Sequence, residues 1–173
     1  MRSVKYLTCT ALVAGAIALL HPIFAEPATP PSGPETKGDW LEGSEDEKFA
    51  LISKHLRGFD ATMMETGHRY TELHWAGEDA NWDYAAYQLD KIRHTIELGI
   101  ERRPKRSASA QGFLKGAIPH LKEAIDSKDQ TMFRQRFTIL TANCNACHAM
   151  EKMPFVQVRP PEHRVSPVRY ETP

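Results

Sequence analysis

Apolar side chains along this chain recur three and four residues apart, the spacing of α-helices buried on one face. Four stretches carry the pattern, and no strand-like alternation competes with it. A first helix is predicted over about residues 45–75, with Phe49, Ile52, Leu56, Phe59, Met63, Tyr70 and Leu73 on one seam. Gly77 is placed to end it in a left-handed cap, and Asp79 or Asn81 to cap the next start. A second helix is expected over about residues 81–103, with Trp82, Ala85, Leu89, Ile92, Ile96 and Ile100 inward and Pro104 as its stop. A third, over about residues 107–126, turns Leu114, Ala117, Leu121 and Ile125 inward. Pro119 lies inside it and should kink or restart it, because proline removes a backbone hydrogen bond. The fourth begins near Ser127, where Ser127 and Gln130 have capping-box spacing, and carries Phe133, Phe137 and Leu140 inward. The breaks are short, which favours antiparallel neighbours. The expected fold is therefore all-α, an antiparallel four-helix bundle over residues 45–152.

The flanks read differently. Arg2 and Lys5 precede an apolar run from Tyr6 to Leu20 that is too short for a convincing membrane span, and Ile23-Phe24-Ala25 ends in a small residue. Residues 1–25 are expected to be a signal peptide for export, cleaved after Ala25 and taking Cys9 with it. Residues 26–44 are rich in Pro, Gly, Ser and Thr and read as a flexible lead. Residues 153–173 hold Pro154, Pro160, Pro161 and Pro167 and should be extended. There Phe155, Val156 and Val158 either cover a groove or belong to a loose terminus.

Cleavage would leave 148 residues with 20 basic and 22 acidic side chains. That suffices for one domain with a core and carries no basic excess that would suggest nucleic acid. No second apolar stretch of membrane length appears, so no membrane span is expected in the mature chain. Its two cysteines, Cys144 and Cys147, leave no room for a structural disulfide elsewhere.

Those two cysteines carry the chemistry. Cys144-Asn145-Ala146-Cys147-His148 is a C-x-x-C-H run, the attachment site of a c-type haem. Residues three and four apart share a helix face, so both thiols and the imidazole can address one object. The thiols add across the haem vinyl groups and the imidazole ligates iron. A zinc site would need a second ligand pair, and a thioredoxin-like dithiol a βαβ context; neither is visible. One covalent haem c is expected, with Cys144 and Cys147 as thioether positions and His148 as the proximal axial ligand.

A haem motif late in the fourth of four amphipathic helices resembles the class II c-type cytochromes, the cytochrome c′ and cytochrome c-556 group. The likeness covers about residues 45–151. The stretch Met63-Met64-Glu65-Thr66-Gly67-His68-Arg69-Tyr70, with Ala76-Gly77 and Asn81-Trp82, is also similar to a set of exported monohaem cytochromes with Pro-rich tails. The chain departs from cytochromes c′ after the haem histidine. Ala149-Met150-Glu151-Lys152-Met153 stands where they have an aromatic-Arg pair, and the tail is extra.

The resemblance implies two versions of the distal side. A cytochrome c′ leaves iron five-coordinate and binds gases such as NO and CO; the c-556 type supplies a methionine from the first helix and carries electrons. Met63 lies on the seam and is the candidate sixth ligand, although core filling is the ordinary role of such a methionine. Met64 lies about 100° round the helix, and His68 is a third candidate, which would also serve a small peroxidase. The implied activity is periplasmic electron transfer with redox partner proteins, not catalysis, in a monomer or homodimer. Arg69 is a candidate propionate partner. Arg102, Arg103, Lys105 and Arg106 form either a docking patch or a solvated helix end. Trp75, Trp82, Tyr84 and Tyr87 are expected to staple helix ends, and His55, His74, His94, His120 and His163 to be bystanders.

Overall fold

A computed structural model describes residues 40–169. The expected signal peptide, most of the flexible lead and the last four residues of the tail lie outside the described residues. Among the described residues all regular structure is helical, and no helix is long and apolar enough to cross a membrane.

The predicted first helix is two helices. α1 (Glu45–His55) starts with a capping box in which Ser44 and Glu47 bond reciprocally, the Ser44 N–H donating to Glu47 Oε2 at 2.8 Å. None of its residues is buried, and Phe49 is 68% exposed. Arg57 then takes a left-handed φ of 61°, and Asp60 Oδ1 accepts the Gly58 N–H at 3.1 Å. α2 (Phe59–Glu78) begins there. Along the seam only residues from Phe59 onward belong to the core or pack against it. Leu56 is left 57% exposed.

α2 and α3 (Trp82–Arg102) form a close pair joined by three residues. Asn81 caps α3 as expected, its side chain accepting the Tyr84 N–H at 3.2 Å. The expected cap at Gly77 is not there. α2 runs on to Glu78, and Ala80 takes the left-handed φ of 55°. The Asn81 N–H reaches the Ala76 carbonyl at 2.8 Å and the Ala80 N–H the Gly77 carbonyl at 3.1 Å, a Schellman closure. Gly77 serves packing instead: a Cβ there would lie 1.9 Å from the Phe133 ring.

Pro104 ends α3 as expected and opens a 3₁₀ turn, Pro104–Arg106. α4 (Ser107–Gly112) leads through a π-helical turn, Phe113–Ala117, into α5 (Ile118–Asp126). This is how the chain accommodates Pro119. The Ile118 N–H bonds back five residues to Phe113, so Pro119 falls in the first turn of α5, where its missing N–H costs least.

α6 (Gln130–Met150) is capped by Asp129, which accepts the Met132 N–H at 2.9 Å, not by a Ser127–Gln130 box. Ser127 instead closes α5, bonding to the Ala124 carbonyl at 3.1 Å. Gln130 donates to the Glu78 carbonyl at 2.9 Å and so ties the start of α6 to the end of α2. Leu73, Ile92, Leu121, Phe133 and Leu140 are fully buried between these helices.

Gly77 and Ala80 give opposite predictions. Gly77→Ala should destabilise by about 1–3 kcal/mol, because the Phe133 ring has to move. Ala80→Gly should stabilise by about 1 kcal/mol by relieving a left-handed alanine. Denaturant unfolding of both variants checks the pair.

Candidate functional site

The last turns of α6 bring Cys144, Cys147 and His148 to one wall of a cavity of about 690 Å³. Phe59, Met63, Met64, Thr66, Gly67 and Tyr70 of α2 also line it, together with Ile96, Ala110 and Phe113. The volume lies within the roughly 300–1,000 Å³ usual for ligand and cofactor sites, and the lining is mainly apolar, which is also usual.

The floor is a buried polar contact set among aromatic rings. Thr141 donates to the Phe137 carbonyl at 2.9 Å, so at 2.7 Å it accepts the Tyr70 hydroxyl proton. The Tyr70 ring stacks on Phe137 with centroids 4.8 Å apart. Burial pushes the Tyr70 phenol up to about 12. Burial first, and the neighbouring Cys147 second, push the Cys144 thiol up to about 12 as well. Both cysteines are free.

His148 has a defined tautomer. Its Nδ1 lies 2.8 Å from the carbonyl oxygen of Val156. A carbonyl only accepts, so Nδ1 carries a proton, which in the neutral imidazole leaves the lone pair on Nε2. That is the state a metal-ligating histidine requires. Glu151 lies one turn beyond Cys147, pairs with Arg106 and accepts a bond from Ser109. Arg103 and Arg106 both stand in the cavity lining beside Asp60, whose carboxyl the Arg57 guanidinium holds below its ordinary range.

The candidates of the sequence separate clearly. Met63 and Met64 both line the cavity, Met63 half-buried against the core and Met64 69% exposed. His68 is exposed and is not among the lining residues. Arg69 is turned to Glu65, at 2.8 Å, and Gln88, at 3.2 Å, and does not line the cavity either. The basic residues in the lining are Arg103 and Arg106, which the sequence offered only as members of a charged turn. His74 packs between Trp75 and Phe137, and burial lowers its pKa. Trp82 lies edge-on to Phe133, and Tyr84 stacks on Tyr87, away from the cavity lining. Among the described residues no group of three or more His, Cys, Asp and Glu gathers as a separate metal site.

The donor set fits a covalent haem. Two free thiols and an imidazole whose neutral form offers Nε2 share the lining with the Met63 thioether. At Gly67 of α2 an added Cβ would meet nothing within 4 Å, so the lining is bare there. The buried hydroxyl of Thr66 has no partner among the described residues. Comparison with protein-family models, curated proteins and solved structures finds no match.

The raised Cys144 pKa has a direct chemical test. In folded chain without haem, Cys144 stays a neutral thiol at pH 8, so iodoacetamide should label it slowly. Unfolding restores an ordinary thiol, and labelling at that peptide should accelerate at least about tenfold. Mass spectrometry of the digested chain reads this directly.

Proposed function

We propose that this chain is a monohaem c-type cytochrome of class II-like design, a four-helix bundle formed by α2, α3, α4 with α5, and α6, acting in periplasmic electron transfer. The observation that carries the reading is the meeting of Cys144, Cys147 and an Nδ1-protonated His148 in the wall of one apolar cavity that also holds Met63. A bound haem c supplies a one-electron ferrous/ferric couple. Cys144 and Cys147 would hold the macrocycle as thioethers. His148 Nε2 would be the proximal ligand and Met63 the distal one, a pair that favours the low-spin iron of an electron carrier. Phe59, Ile96 and Phe113 exclude water, which limits reorganisation when the charge changes. Arg103, which donates to the Arg102 and Arg57 carbonyls, would put positive charge at the lining, where haem carboxylates need it, and Arg106 would join it only by releasing Glu151. Redox partner proteins would supply and remove the electron, and export by residues 1–25 would place the chain in the compartment where haem is attached.

A second reading is a five-coordinate haem protein that binds NO or CO. The rings of Phe59, Tyr70 and Phe113 in the lining favour it, since an apolar lid over open iron is what such a protein needs. His68, the acid–base residue that a peroxidase reading would use, is not among the lining residues.

Spectra of haem-loaded protein, oxidised and dithionite-reduced, with and without carbon monoxide, decide between the two. The electron carrier gives a sharp low-spin reduced spectrum, a ferric methionine-to-iron band near the red edge and no response to carbon monoxide. Met63→Ala should then convert it to a high-spin, carbon monoxide-responsive form. A wild-type protein that already responds, and a Met63→Ala variant that looks the same, would favour the gas-binding reading.

A further inference from the structure

The segment that follows α6 is tied down at two places, and the nearer tie reaches into the C-x-x-C-H run itself. Asn145 Nδ2 donates to the Val158 carbonyl at 3.0 Å, and Asn145 Oδ1 accepts the Val158 N–H at 2.7 Å. A reciprocal pair of this kind fixes both the position and the orientation of the Val158 backbone. Two residues upstream, the Val156 carbonyl takes the His148 Nδ1 proton at 2.8 Å. The turn between is closed on itself: the Val156 N–H donates to the Met153 carbonyl at 3.0 Å and Gln157 Nε2 to the Pro154 carbonyl at 2.9 Å. α6 ends just before it in a Schellman closure, with Lys152 at a left-handed φ of 63° and the Met153 N–H on the His148 carbonyl at 2.8 Å.

The farther tie lies at the end of α2. Both terminal nitrogens of the Arg164 guanidinium engage Asp79, at 2.7 and 2.5 Å, and the guanidinium stands 4.7 Å over the Trp75 ring. Ser166 donates at 2.8 Å to Glu72, a buried carboxylate that also takes the Tyr84 hydroxyl at 2.9 Å. Pro160 and Pro161 stiffen the chain between the ties. A span held at both ends, with a stiff middle, keeps the Val156 carbonyl where the imidazole needs it.

We propose that residues 153–169 form a strap that orients the His148 ring and strengthens it as an iron ligand, with Asn145 and Arg164 as positioning residues at its two ends. This rests on the haem reading above. A carbonyl that accepts the Nδ1 proton draws it from the ring and leaves Nε2 more basic. A more basic proximal ligand favours the ferric over the ferrous state, so the strap lowers the reduction potential. If the strap is released, the carbonyl drifts, the ring rotates more freely and the potential rises.

The test uses haem-loaded full-length chain and three variants, Asn145→Ala, Asn145→Asp and Arg164→Ala. Asn145→Ala removes both bonds to Val158, and amide exchange there should accelerate about tenfold or more. Its reduction potential should rise. Asn145→Asp keeps the acceptor and loses the donor, so exchange at Val158 should fall between wild type and Asn145→Ala; the added carboxylate charge itself lowers the potential, so only exchange is read in this variant. Arg164→Ala should move the potential upward by less, because the near tie remains. Faster exchange at Val158 with an unchanged potential in both Asn145→Ala and Arg164→Ala would make the strap merely structural and overturn the proposal. Unchanged exchange in Asn145→Ala would overturn it too. Wild-type chain without covalent haem in a pyridine haemochrome assay would overturn the haem reading together with the proposal, which separates the two failures.

Discussion

The seating of the Phe133 ring of α6 on Gly77 of α2 is the constraint on which the rest of the architecture depends. A ring seated directly on a helix backbone draws α2 and α6 together at the end where α6 begins, and the bond from Gln130 to the Glu78 carbonyl reinforces it. Phe137, one turn further along α6, stacks on Tyr70, and their rings fill the space between the helices. Gly67 contributes no side chain at all, and the cavity opens between the start of α2 and the last turns of α6. Tight packing at one end and a hollow at the other are parts of one arrangement.

That arrangement explains why the site residues meet. Cys144, Cys147 and His148 share a face of α6 because of helical periodicity, and they face Met63 because Phe133 and Phe137 on the same helix have already fixed its rotation against α2. The aromatic layer also isolates the cavity floor. The Tyr70 hydroxyl, with only Thr141 to bond, and the Cys144 thiol both lose their charged forms to burial. A group bound here would sit in low-dielectric surroundings on three sides, with arginines as the charged residues best placed to balance carboxylates.

Much of this was legible in the sequence, and the misses share a cause. The 3.6-residue pattern located α3 and the long helices flanking it, and Pro104 and Asn81 act as their types suggest. The errors fall at helix ends. Left-handed closures occur at Arg57, Ala80, Lys128 and Lys152, none of them glycine, so the usual signal is absent where the helices stop. Gly77, which carries that signal, sits inside a helix for the sake of a neighbouring ring. Pro119 could be seen to disturb the third helix, but the π-turn that absorbs it depends on Phe113 and Ala117 being held in the core. For the tail, the sequence left cover and loose end equally open. The ties that settle it run to Asn145, Asp79 and Glu72, up to 94 residues away along the chain.

The sequence by itself determined the helical class and the common helix face of Cys144, Cys147 and His148, because both follow from short-range spacing along the chain. Tertiary structure decided which seam residues are buried, that α1 stands off from the core, that Arg103 and Arg106 rather than Arg69 border the cavity, and that the His148 ring bonds to Val156. Each of these depends on contacts between segments distant in sequence. Such contacts are set by how rings and glycines fit between helices, and periodicity along one helix does not encode that fit.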